Sequence, residues 1–213
     1  NNIFQICFVL LCFLFVINGA NLVDGFNGLL AIHFLLINST FLIINLFNQN
    51  ENISIILFSQ IIIVLSFLLF NFPKAKIFLG DSGSYLLGSL IALNTIKTYE
   101  LNTEISPIFF AGILFYLFYE VFFSFIRKGI LKKSPLKPDK SHLHMLLYGW
   151  LFNVKKIKNS NYLTSLLVNI CYLFLLIPFF YFQHNGLISK FWFFLSITVY
   201  TIVYFRLYSF PKK

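Results

Sequence analysis

The sequence predicts an all-α fold, a polytopic transmembrane helical bundle of about seven spans forming a single integral membrane domain over 1–213. Three observations predict it. The chain is 59% hydrophobic and 11% charged, with 30 Phe. Its apolar stretches recur at lengths near ~20 residues, the length a helix needs to cross the hydrocarbon of a bilayer. Its three aspartates, Asp24, Asp81 and Asp139, all fall in short polar segments between those stretches. Each span must be helical, because lipid offers the backbone no hydrogen-bond partner.

The spans run over about 3–20, 29–47, 53–72, 85–99, 105–126, 163–182 and 187–207. The first lacks a basic segment before it and leads straight into a polar octet, so it does not read as a secretory signal. The chain opens on Asn-Asn, which predicts a fragment of something longer. The span at 85–99 is the least apolar, but Ser84, Gly88 and Ser89 are small and suit close packing inside a bundle. The span at 105–126 carries Glu120, an ionisable group that costs roughly 2.5–3.5 kcal/mol to insert and is therefore paired or functional. Ser124 and Arg127 share its helical face, which predicts a structural polar stripe running to the membrane edge. Cys7, Cys12 and Cys171 lie inside spans without paired spacing and read as small lipid- or helix-facing residues.

Basic residues near span ends stay on the cytoplasmic side. Placing the three aspartate segments inside puts Lys74, Lys76, Arg127, Lys128, Lys132, Lys133, Lys137, Lys140, Lys155, Lys156, Lys158, Arg206, Lys212 and Lys213 there, and leaves Lys97 and Lys190 opposite. The net charge of +9 is thus accounted for by topology and anionic lipid headgroups. Nucleic-acid binding has no other support.

The first polar segment is Asn21-Leu-Val-Asp24-Gly-Phe-Asn27-Gly28. It reads as a turn between helices. Alternatively, Asn21, Asp24 and Asn27, three apart on one side of a helical turn, offer carboxylate and amides to a polar ligand. The second, FLGDSGS at 78–84, combines Gly80, Ser82 and Ser84 with a helix start, the outline of an anion cradle with a serine cap. Asp81 would repel a phosphate unless a hard cation bridged the two. The plainer reading is a capped helix with an incidental aspartate.

The third segment, a large basic cytoplasmic loop over 127–161, holds nine Lys and Arg and the run Pro138-Asp139-Lys140-Ser141-His142-Leu143-His144. Asp139 reads as an N-cap, with His142 and His144 in the first turn of a short interfacial helix. Two histidines and one aspartate are too few for zinc and better suited to phosphate or substrate. A basic, lipid-facing loop is the alternative.

NLVDGFNGLL at 21–30, FLGDSGSYLLG at 78–88 and RKGILKKSPLKPDKSHLHMLLYG at 127–149 resemble, in order and on one face, the polyprenyl-phosphate N-acetylhexosamine-1-phosphate transferases. The resemblance implies Mg²⁺-dependent transfer of sugar 1-phosphate from a UDP-sugar to undecaprenyl phosphate with release of UMP, with Mn²⁺ as a substitute metal. It implies a bacterial cytoplasmic membrane, a site facing the cytoplasm, and a bundle able to dimerise. Asp81 would be the metal ligand, with Asp24, Asp81, His142 and His144 catalytic. Asn21, Asn27, Gly80, Ser82, Arg127, Asp139 and Lys140 would bind substrate. The PDxxHxH-like run favours the N-acetylglucosamine branch over the muramoyl-pentapeptide branch, which carries consecutive histidines. Met145 stands where many relatives have a further histidine, and the family's adjacent aspartate pair is absent, so the resemblance implies the carboxyl-terminal portion of such an enzyme. A non-catalytic remnant or a subunit of a split transferase is the other expectation.

Overall fold

A computed structural model describes residues 2–132, 134 and 139–210; Lys133, Lys137, Pro138, Lys212 and Lys213, named above, lie outside them. Among the described residues the chain is all helix: α1 (Asn2–Val23), α2 (Leu29–Phe47), α3 (Glu51–Asn71), α4 (Gly80–Leu101), α5 (Pro107–Ile113), α6 (Phe115–Ile130), α7 (Leu143–Gly149), α8 (Ser160–Tyr181) and α9 (Gly186–Tyr208), with a π-helical turn at Trp150–Val154. Short connections alternate between the two ends of the bundle.

The expected seven spans resolve differently. Five helices, α1, α2, α3, α8 and α9, are each long and apolar enough to cross a bilayer, and α5 with α6 makes a sixth only as a pair bent by 71°. The remaining one, α4, is 22 residues long but too polar to qualify. Several of its polar residues are interior: Ser84, Asn94, Thr95 and Thr98 are buried. The small residues expected to pack do so. A Cβ on Gly88 would lie 2.8 Å from the Ala20 Cβ, and one on Gly19 would lie 2.2 Å from the Leu117 carbonyl oxygen, so α1 is pressed between α4 and α6.

Amides fix the register of the middle helices. Halfway along, Asn38 of α2 and Asn94 of α4 both donate to the Gln60 side-chain oxygen of α3, at 2.9 and 2.7 Å. In a medium without water such bonds add specificity more than energy, about 0.6 kcal/mol each on average.

The bend between α5 and α6 positions the functional end. Gly112 lets the Phe179 ring of α8 come so close that a Cβ would meet it at 2.3 Å. The Tyr172 hydroxyl donates to the Ile113 carbonyl at 2.5 Å, satisfying a backbone group that the break sets free. From there α6 carries Tyr116, Glu120, Ser124 and Arg127 towards the third polar loop.

Candidate functional site at the motif end

The first two loops are stitched together by asparagines. Gly28, in left-handed backbone at φ +75°, donates its N–H to the Asn71 side-chain oxygen at 2.7 Å, while the Asn71 amide donates to the Ile77 carbonyl at 2.8 Å. Asn27 donates its amide to the Pro73 carbonyl (2.9 Å) and its backbone N–H to Asn161 at the start of α8 (2.9 Å). Asn21 accepts from the Ser84 hydroxyl (2.7 Å) and donates to the Tyr85 hydroxyl (3.1 Å). Asn21, Asp24 and Asn27 therefore do not form the expected helical face. Helix α1 ends at Val23, and both asparagines bind protein partners, which leaves Asp24 as the group of the three with charge to offer.

Asp24 and Asp81 lie close enough to feel each other. Partial burial, and then the neighbouring Asp81 charge, push the Asp24 carboxyl up to about 6. Asp81 and Ser82 are exposed at the start of α4. The expected serine cap is absent: the residue before α4 is Leu79, without a capping side chain, and Ser84 is spent on Asn21. Gly80 is left-handed, φ +63°, with open space where a side chain would sit. No group of three or more His, Cys, Asp or Glu side chains comes together as a metal cage among the described residues.

The third loop is held by the stripe on α6, as the spacing of Glu120, Ser124 and Arg127 predicts. Arg127 pairs with Asp139 at 2.5 Å and donates to Ser124 at 3.2 Å. Burial opposes the charge on Asp139, but the Arg127 guanidinium and the Ser141 N–H, at 2.9 Å, hold its carboxyl below the usual range. Asp139 is thus not the N-cap: it makes a tight turn onto Ser141, and the helix begins at Leu143 with His142 as its cap. Arg127 and Asp139, expected to bind substrate, form an ion pair with each other, and the Arg127 Nε is buried without a hydrogen-bond partner. Tyr204 of α9 donates to the Ser141 carbonyl at 2.9 Å and closes the turn.

Glu120, 1% exposed, accepts from the His142 Nδ1 (3.1 Å) and from the Leu143 backbone N–H (3.0 Å). His144, fully buried, has its Nδ1 3.2 Å from the Tyr116 hydroxyl. Burial drives the His144 ring down to about 4, so it is neutral. Its Nε2 is buried without a hydrogen-bond partner and sits 4.0 Å from where a Gly25 Cβ would be, one residue from Asp24. The first and third motifs therefore meet at Gly25, where a Cβ would be in van der Waals contact with Met145 at 3.4 Å and with His144 at 4.0 Å. Beside the contact opens a pocket of about 540 Å³, lined by Gly25, Phe26, Lys140, Met145, Tyr148 and Asn161 among others. Tyr116 was not among the expected site residues. One tyrosine of 11 carries no signal of its own, although its place four residues before Glu120 puts the two on one helical face.

Fold and site together define an all-helical membrane protein that gathers carboxylates, histidines and an open pocket at one end of its bundle. The family model described as glycosyl transferase family 4 matches residues 1–99, the amino-terminal part of the chain, which holds the first two motifs. The chain is 30% identical to the undecaprenyl-phosphate alpha-N-acetylglucosaminyl 1-phosphate transferase of Thermotoga maritima over 187 residues, 77% of this chain and 55% of that protein. It is 34% identical to a probable undecaprenyl-phosphate N-acetylglucosaminyl 1-phosphate transferase of Bacillus subtilis over 63% of this chain and 38% of the relative. It is also 34% identical to the phospho-N-acetylmuramoyl-pentapeptide-transferase of Leuconostoc citreum, over 62% and 41% respectively. Residues 1–99 match glycosyl transferase family 4, and the chain spans about half the length of the curated relatives it matches.

Proposed function

We propose that this chain carries part of the active site of a transferase that moves N-acetylhexosamine 1-phosphate from a UDP-sugar to undecaprenyl phosphate and releases UMP, at the cytoplasmic face of a bacterial membrane. The observation that carries the reading is the meeting of His144 with Gly25 beside Asp24, which sits within electrostatic reach of Asp81. Phosphoryl transfer asks for positioning and charge neutralisation more than covalent chemistry from the protein. A neutral N–H donor, two carboxylates and nearby lysines supply what that chemistry uses.

Magnesium fits the residues present. The ion takes one or two carboxylates and completes its shell with phosphate oxygens and water, so no protein cage is required. Asp81, exposed at a glycine-opened loop, would hold it, and the Asp24 carboxyl, raised first by burial and then by the Asp81 charge, would be eased by a cation beside Asp81. When bound, the ion would neutralise charge between the two phosphates. Asp24 would orient the acceptor phosphate or take up a proton there. His142 and His144 would face the donor phosphates, with Lys140 at the pocket rim. Gly80 and Ser82 would present backbone and hydroxyl donors to the same anion. Asn21, Asn27, Arg127 and Asp139 hold the loops through their protein partners.

The test is Mg²⁺-dependent UMP release by the complete protein in detergent, with UDP-N-acetylglucosamine and undecaprenyl phosphate. Release that Asp81→Asn abolishes is the expected result; full activity of that variant would overturn the reading. A muramoyl-pentapeptide substrate is the second reading, favoured by relatives of that name at the same level of identity. Turnover of UDP-N-acetylmuramoyl-pentapeptide but not of UDP-N-acetylglucosamine would select it.

A further inference from the structure

The two histidines reach the site through different partners, and the partners dictate where each ring carries its proton. Glu120 can only accept. Its Oε2 lies 3.1 Å from the His142 Nδ1, so that nitrogen holds the hydrogen and the His142 Nε2 is a lone pair whenever the ring is neutral. His144 is different. Its Nδ1 lies 3.2 Å from the Tyr116 hydroxyl and 3.8 Å from Glu120, too far from the carboxylate for a hydrogen bond.

Two arrangements of the Tyr116–His144 pair are possible on paper. If His144 donates from Nδ1, the phenol hydrogen and the Nε2 lone pair are both left without partners inside the protein. If Tyr116 donates to Nδ1, one group is left over, the Nε2–H, and buried polar groups are paired wherever they can be. The second arrangement therefore prevails. It leaves a buried donor with no protein acceptor, aimed at Gly25. The two rings stack, with centroids 5.7 Å apart and planes 8° from parallel, and each turns its Nδ1 to a partner on α6.

We propose that Glu120 and Tyr116 are positioning residues that impose opposite tautomers on His142 and His144, giving the stacked pair of rings one acceptor Nε2 and one donor Nε2. The ligand chemistry that matches is a hydroxyl or amide N–H close to a phosphate oxygen, as in a sugar 1-phosphate bearing an acetamido group. His142 accepts from the hydroxyl or amide, and His144 donates to the phosphate oxygen. The identity of that ligand rests on the function proposed above; the tautomers do not.

The experiment is a ¹⁵N spectrum of the full chain labelled at its histidines, in detergent, at a pH above the ordinary histidine range. His142→Gln and His144→Gln identify the two signals by their loss. The expected result is His142 protonated on Nδ1 and His144 on Nε2; the same nitrogen protonated in both would overturn the proposal. Tyr116→Phe, which removes one oxygen from a buried site, is expected to mix the tautomers of His144 while leaving His142 unchanged. It should also raise the KM for the UDP-sugar. An unaltered His144 signal in that variant would equally overturn the proposal. If the tautomers are as stated but no UDP-sugar is turned over, the transferase reading falls and the tautomer assignment stands.

Discussion

Both ends of the bundle gather polar side chains, and they treat them in opposite ways. At the end away from the motifs, Asn45, Asn50 and Asn102 bond to one another across α2, α3 and the end of α4: Asn102 donates to Asn45 at 3.1 Å, Asn50 donates to both, and Asn45 donates to Thr98 at 3.0 Å. Asn48 adds a bond to Asn102 at 2.5 Å. The motif end leaves charge and donors unmatched: Asp24 pushed up beside Asp81, and the buried Nε2 of His144 with no partner. A closed network locks helices together. An open one has a cost that only a ligand would offset, because a buried polar group left unpaired costs about 1–3 kcal/mol. This contrast, more than polarity itself, separates the candidate site from a structural clamp.

Charge removal at the open end breaks the contrast most sharply. Asp81→Asn is expected to lower transfer by at least about 10²–10³-fold, the scale seen when one electrostatic contact to a transition state is lost. It should also let the Asp24 carboxyl fall back towards its ordinary range, since Asp81 is one cause of its rise. A ¹³C titration of Asp24 in the variant reads that directly. His144→Leu comes next, with a loss on the order of 10²-fold in kcat/KM. His144→Gln keeps an N–H donor and should lose less; equal loss would mean that the ring, not its donor, matters.

Asp24 gives the open end a pH signature. Its carboxyl is raised from an ordinary value of 3.8 to about 6 in the fold, so between these values the folded state binds more protons than the unfolded one. The contribution is present below about 4 and lost as pH rises through about 6. The ligand-free protein is therefore expected to melt at a lower temperature at pH 7 than at pH 5 on account of this group. Asp24→Asn should flatten that dependence and raise the melting temperature at neutral pH while removing activity. A thermal shift series in detergent, without divalent cations, checks it; a variant with an unchanged slope would mean that other groups set the pH dependence.

Much of the open end is legible in the sequence because its chemistry is concentrated in few residues. Three aspartates in a chain this apolar, each on an alternate connection, must face one side once the helices between them alternate. Glu120 is legible for the same reason, as an ionisable group placed where solvation cannot help it. What the sequence hides is the division of labour among neutral amides. Asn21 and Asn27 look like ligand contacts by spacing, yet the turn after Val23 sends each to a backbone or hydroxyl on another loop. The bend at Leu114 is equally hidden: no proline marks it, and it depends on Gly112 meeting Phe179 and Tyr172 capping a carbonyl from 59 positions away. The span expected at 85–99 is not confirmed for a related reason, because α4 carries polar residues such as Asn94 and Thr98 that burial among other helices tolerates but that lower its hydropathy below that of the other long helices.

The closed end supplies the smallest effect and the control for the others. Asn45 touches Thr98, Asn50 and Asn102, and its own helix at Phe41, so Asn45→Ala strands several groups at once. Each is buried or partly buried, and the expected cost is about 1–3 kcal/mol of stability. Activity per folded molecule should be unchanged, because the network lies at the opposite end of α2 from the Asp24 loop. Unfolding followed in parallel with turnover separates the two quantities. If Asn45→Ala lowered kcat at temperatures where the protein remains folded, the two ends would be coupled through α2 and α4, and the closed network would have to be counted as part of what positions Asp81.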